Sequence, residues 1–241
     1  DFSLQFLDAS DQEITTANVN EAVTVLYTLE NPNRTSATFE FDHYLAAGRS
    51  IATPSNVSST CPNSTLVPGP NYLQVDASIN GASSCTIRID IVSTIPGSFT
   101  TSTNSIDGSL GSGASAQGTI NFVAPPQFSM VFNPSSTTNN DSAQVTYTIN
   151  NVKNPNPATG LNFSHNFNAG LEVYQTPNAS TTCVGGTLFA NAGAGSISYV
   201  GGSVPASSSC TINLLVGSEE AGTFIETTGD LSSGFGNSGT A

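Results

Sequence analysis

Apolar and polar positions alternate with a period of two along much of this chain. Val23, Val25, Tyr27 and Leu29 are interleaved with residues such as Thr24 and Thr28, and Val145, Tyr147 and Ile149 repeat the rhythm. Ile87, Ile89 and Ile91 continue it after Cys85. A period of two sends successive side chains to opposite faces of an extended strand, so these runs predict strands with one buried face. Turn-forming clusters such as Asn31-Pro32-Asn33 and Pro68-Gly69-Pro70 separate them. No segment carries the helical period over a useful length, and Lys, Glu and Leu are scarce. The expectation is an all-β chain built as an antiparallel β-sandwich.

The pattern occurs twice. Phe2-Ser3-Leu4 returns as Phe128-Ser129-Met130, and Val25–Leu29 as Val145–Ile149. Asn31-Pro32-Asn33 returns as Asn154-Pro155-Asn156, and Phe41–Gly48 as Phe163–Gly170. Ser58–Cys61 matches Ser180–Cys183, Ser83–Ile87 matches Ser208–Ile212, and Pro96–Phe99 matches Ala221–Phe224. The matches keep one order, which predicts two tandem sandwich domains, 1–123 and 128–241, joined by a proline linker at 124–127. Pro125 and Pro126 favour an extended, stiff connection, which suits a rod. Aligning Gly239-Thr240 with Gly118-Thr119 makes the last strand of the second domain appear truncated. Either the chain is a window on a longer array, which needs no further assumption, or a neighbouring subunit adds the missing strand.

Charge narrows the partners. Seventeen acidic residues against four basic ones give a net charge of -13. Arg34, Arg49, Arg88 and Lys153 are scattered singly, so no basic stripe exists for nucleic acid or for an anionic membrane surface. No run approaches the ~18 apolar residues of a membrane span, so direct insertion is not expected. The chain opens at Asp1 without Met or a signal segment, which reads as a mature product or a piece of a longer protein.

Each half holds two cysteines, Cys61 with Cys85 and Cys183 with Cys210. Their matched placement predicts one structural disulfide per domain, each worth roughly 3 kcal/mol. A zinc site would want CxxC spacing and adjacent histidines, which are absent. Disulfides imply an oxidising compartment, secreted, periplasmic or cell-surface, and the expectation taken is an extracellular or cell-surface location.

The chain resembles the Ig-like β-sandwich repeats strung together in very large bacterial surface and secreted proteins. The resemblance rests on the Pro-Pro-x-Phe-Ser opening (Pro125–Ser129), the strand Tyr147–Asn151 before an Asn-Pro pair, and the Phe163–Gly170 block. The paired cysteine segments from Thr181 to Ile212 complete it. In such repeats an Asp usually stands where His43 and His165 stand here. The resemblance implies a non-catalytic spacer, the stalk of an adhesin or the body of a surface fibre, with adjacent copies of the same repeat or subunit as partners. The alternative is a glycan- or protein-binding adhesin module stabilised by calcium.

Candidate chemistry is sparse. His43 and His165 occupy matching positions and read as half-buried packing residues, since neither has a neighbour suggesting a triad and no nucleophile elbow occurs. No enzyme is expected. Gly234–Gly239 matches GxGxxG but lacks room for the helix and acid of a dinucleotide site, so it reads as a glycine-rich loop. Calcium is the one cofactor considered, with Asp8, Asp11 and Glu13 as weak ligand candidates. The Glu219-Glu220 pair reads as solvated. Asn33, Asn56, Asn63, Asn162 and Asn178 open Asn-x-Ser/Thr sequons. Sugar stacking is disfavoured by the lack of Trp.

Overall fold

The alternation in the sequence is the burial pattern of the strands. In a computed structural model, which describes all residues 1–241, Val23–Asn31 buries Val23, Val25, Tyr27, Leu29 and Asn31, and Ser83–Ser93 buries every second residue from Cys85 onward. Strands and turns make up the chain, with no helix. It divides into two units, Asp1–Val123 and Ala124–Ala241, each an Ig-like β-sandwich with its own apolar core.

In the first unit one layer runs in the order Phe2–Leu7, Val23–Asn31, Ser83–Ser93, Arg49–Ile51. The facing layer runs Asp107–Gly108, Ala37–Tyr44, Tyr72–Ile79, Thr65–Pro68. A third, smaller sheet places Gln117–Val123 between Gly97–Ser102 and Thr16–Asn18. The pairing with Thr16–Asn18 is parallel, the one exception to the antiparallel expectation among these pairs. The second unit repeats the two main layers. Gln127–Asn133, Ser142–Asn150, Ser209–Gly217 and Glu172–Val173 form one, and Val184–Phe189, Ser196–Val204 and Ala158–Asn166 lead the other.

Cys61 is bonded to Cys85 and Cys183 to Cys210. Each cystine lies within one layer. Ser58 and Ser59 pair with Arg88 and Ile87, and Cys61 meets Cys85 in the continuation of that register. Asn31 and Asn151 are a second repeated device. Each is buried, and its side-chain amide donates to two carbonyls, those of Thr35 and Asn80 in one case and of Asn156 and Pro205 in the other. These bonds make Asn151, not Asn154, the counterpart of Asn31. The second unit has therefore inserted residues before its Asn-Pro turn, and sequence identity at Asn154-Pro155 misaligned it.

Asn154 has a separate task. Its amide accepts from the Ala124 N–H at 2.8 Å and donates to the Ala124 carbonyl at 2.9 Å. Pro126 is buried, and a strand begins at Gln127. The residues read as a linker are thus seated on the second unit. A further correction concerns the far end of the repeat. Thr228 and Ala241 exchange the same two hydrogen bonds as Thr103 and Ala116, so Ala241 stands in the place of Ala116. Gly239-Thr240 is therefore not the counterpart of Gly118-Thr119.

One substitution between the units reshapes a core. Val75 faces Phe41 in the first unit, and Tyr199 faces Phe163 in the second. The larger ring lies where Gly186 and Gly202 leave space, and its hydroxyl donates to the Gly185 carbonyl at 2.8 Å. A Cβ on Gly202 would stand 2.1 Å from that hydroxyl oxygen. Because Tyr199 is buried, it cannot swing away. Gly202→Ala is expected to destabilise the second unit by about 2 kcal/mol or more, read by chemical denaturation. Adding Tyr199→Val should cost less than the sum of the two single changes.

Candidate functional site

The inward phase of Val23–Asn31 carries Tyr27 into the core, and the inward phase of Ala37–Tyr44 carries Phe39, Phe41 and His43 toward it from the opposite layer. Tyr27 and His43 meet between the layers, with the Tyr27 hydroxyl 2.5 Å from Nδ1 of His43. On the other side of the ring, Nε2 lies 2.6 Å from the Thr101 hydroxyl, which belongs to the third sheet. One imidazole therefore ties three sheets together. Around it, the Tyr27 ring stands edge-on to His43 and packs on Phe41, which packs on Phe2.

The second unit builds the same arrangement from Tyr147, His165, Phe163 and Phe128. The Tyr147 hydroxyl is 2.7 Å from Nδ1 of His165. The third partner differs. Nε2 of His165 lies 3.1 Å from a carboxylate oxygen of Glu226, which also accepts the Asn168 N–H. A carboxylate only accepts, so Nε2 carries the proton, Nδ1 accepts, and Tyr147 donates. In the first unit Thr101 can donate or accept, so its pairing leaves both tautomers open.

Burial sets the electrostatics. His43 is 2% exposed, His165 0%, and the Glu226 side chain 1%. Taking imidazolium out of water lowers the His43 pKa from 6.5 to about 4. Burial also pushes His165 down, against the opposing pull of Glu226. Both tyrosines are pushed well above the ordinary phenol value by burial, Tyr147 further by Glu226. Tyr–His–Glu is a constellation able to relay a proton. It is sealed from solvent with both imidazole nitrogens engaged, so it links the elements that carry it.

His43 and His165, expected as half-buried packing residues, are therefore fully buried and hydrogen-bonded through both nitrogens. The signal was the phase of their strands, in which Phe39, Phe41 and His43 share one face. Glu226 escaped notice, although it stands as far beyond Phe224 as Thr101 stands beyond Phe99.

The calcium candidates do not converge. Asp8 accepts the N–H groups of Ser10 and Gln12, Asp11 pairs with Arg88 at 2.8 Å, and Glu13 accepts from Gln5. Glu219 and Glu220 are exposed, and Ser232–Ser233 with Gly236–Asn237 make the GxGxxG segment a small hairpin. Among the sequon residues, Asn56, Asn63 and Asn178 are exposed with φ of 48°, 51° and 44°. Asn tolerates this left-handed region, which gives these positions a backbone reason for their residue type.

A family model described as a domain of unknown function, DUF7933, matches the chain twice, over residues 13–122 and 126–241. The chain belongs to the DUF7933 family. The sequence matches no curated protein. Among solved structures, the collagen adhesin CNA from S. aureus is 10% identical with a TM-score of 0.33, the match covering 97% of this chain and 85% of that one. The MSCRAMM ACE of Enterococcus faecalis is 12% identical with a TM-score of 0.35, covering 95% and 89%. Red sea bream transglutaminase is 9% identical with a TM-score of 0.34, covering 99% of this chain and 30% of that one. Likenesses this distant carry no argument about function.

Between pH 6.5 and about 4 the unfolded chain binds a proton at His43 that the folded chain refuses. This contribution to stability is complete above pH 6.5, falls as pH drops to 4, and levels below, a loss of about 3 kcal/mol. Denaturation midpoints across that range should show it. His43→Gln, which keeps a polar partner without a titrating ring, should remove this component from the pH profile.

Proposed function

We propose that this DUF7933 chain is a non-catalytic structural module of an extracellular bacterial surface protein, forming the stalk of an adhesin or the body of a surface fibre beside further copies of the same repeat. The observation that carries this reading is the sealed Tyr–His bridge in both units. The residues best suited to acid–base chemistry are spent on joining layers that a load would pull apart. A cystine in each unit supports the same reading, since disulfides persist in oxidising compartments. The net charge of -13 supports solubility for a crowded surface array.

Antibody raised against the chain should label intact, unpermeabilised cells of the source organism. Labelling seen only after permeabilisation would overturn the surface reading. The calcium-stabilised binding module has less support, because Asp11 is engaged by Arg88 and Asp8 by its own loop. Millimolar calcium is accordingly expected to leave the melting temperature unchanged. A rise of several degrees, reversed by chelator, would favour that module instead.

A further inference from the structure

In the first unit the strand Tyr72–Ile79 of one layer passes to Ser83–Ser93 of the other through the turn Asn80-Gly81-Ala82. This is the only Asn-Gly pair in the chain. Packing requires the glycine, because a Cβ at Gly81 would stand 2.1 Å from the Arg34 carbonyl oxygen. The carbonyl of Asn80 accepts two hydrogen bonds, from the buried Asn31 amide at 3.1 Å and from the Ser83 hydroxyl at 2.9 Å. At the other end of the same peptide group, the Gly81 N–H has no acceptor in the chain. Asn80 is exposed, and its side-chain amide is likewise unpaired. The second unit places Pro205-Ala206 at this position, with Asn151 donating to the Pro205 carbonyl.

We propose that Asn80-Gly81 is a self-modification site, at which the chain cyclises to a succinimide and reopens as an aspartyl or isoaspartyl residue. Gly81 gives up its amide proton to hydroxide, and its nitrogen attacks Cγ of Asn80. A C–N bond forms there, the bond from Cγ to the side-chain nitrogen breaks, and that nitrogen takes a proton from water and leaves as ammonia. Water then adds to one of the two ring carbonyls and opens the ring, so the only co-reactant is water. The fold promotes the first step in two ways. Gly81 has no side chain to screen its nitrogen, which lies next to the carbon it attacks. The two donors on the Asn80 carbonyl stabilise the charge that the peptide group takes on when the proton leaves, as donors preorganised for an oxyanion do. Pro205 offers no side-chain amide, so the second unit is exempt. In the isoaspartyl product the main chain runs through Cβ and Cγ, and the carbonyl that Asn31 holds becomes a carboxylate. The turn is then longer by a methylene where it already abuts the Arg34 carbonyl, which loosens the first unit. This inference does not rest on the stalk reading.

The whole chain, held folded at mildly alkaline pH and followed by peptide mapping, tests it. Position 80 should gain one mass unit and isoaspartate before the asparagines that precede serine, Asn63, Asn104 and Asn237, are altered. The rate should rise with pH. Ser83→Ala should slow the conversion about fivefold, the worth of one hydrogen bond, and Ser83→Thr, which keeps the hydroxyl, should restore it. In denaturant the three chains should convert alike, which separates the effect of the fold from that of the local sequence. Asn80 left intact while the other three asparagines convert would overturn the proposal. So would equal rates for the folded Ser83→Ala and unaltered chains, or a folded chain that converts more slowly at Asn80 than the denatured one.

Discussion

A tyrosine hydroxyl and an imidazole inside a dry core have to satisfy each other, and much of each sandwich follows from that constraint. An unpaired polar group at this depth costs about 1–3 kcal/mol. The two strands that carry the pair belong to different layers, so the hydrogen bond sets their relative position as apolar contact alone would not. Apolar attraction is non-directional, while a donor–acceptor pair has one good distance and direction. The neutral state of His43, the edge-on Tyr27 ring and the phenylalanine stack beside it are arranged around that contact.

The two units show how one scaffold absorbs different local solutions. Thr101 and Glu226 fill the same place beside the histidine, the first leaving the tautomer open and the second assigning it. Arg49 lies over the Phe99 ring at 3.6 Å, whereas the corresponding part of the second unit presents Leu171 and Phe224 to a cavity. Val75 is replaced by Tyr199, with glycines cleared around it. What remains common is the inter-layer bond, the in-layer cystine and the buried asparagine at the turn.

These shared devices stabilise each unit in three different ways. The cystine restrains the unfolded chain, the asparagine anchors a turn that Pro alone would leave loosely held, and the Tyr–His bond couples the layers. They act at different levels of structure, so loss of one leaves the others in place. Asp8 and Asp11, by contrast, serve a local loop and a single surface pair, where a salt bridge contributes little.

Strand content, the repeat and the inward-facing residues were legible in the sequence because side-chain alternation is a local property of extended backbone. Val25, Tyr27, Ile87 and Ile89 announce their burial by spacing alone. The cysteines were legible for a related reason, since each pair recurs in matched surroundings. Partnership across the core was not legible. That Tyr147 would meet His165 and that Glu226 would close the far side depends on strands from separate layers and on a segment without regular structure. Nothing local in the sequence encodes such distances. Identity between short motifs misled at Asn154 and at Gly239-Thr240, because hydrogen-bonding position rather than residue name determines which atoms do the same work. Period and composition make the sandwich; the contacts inside it exist only once the layers are packed, because a buried polar group finds its partner in space and not along the chain.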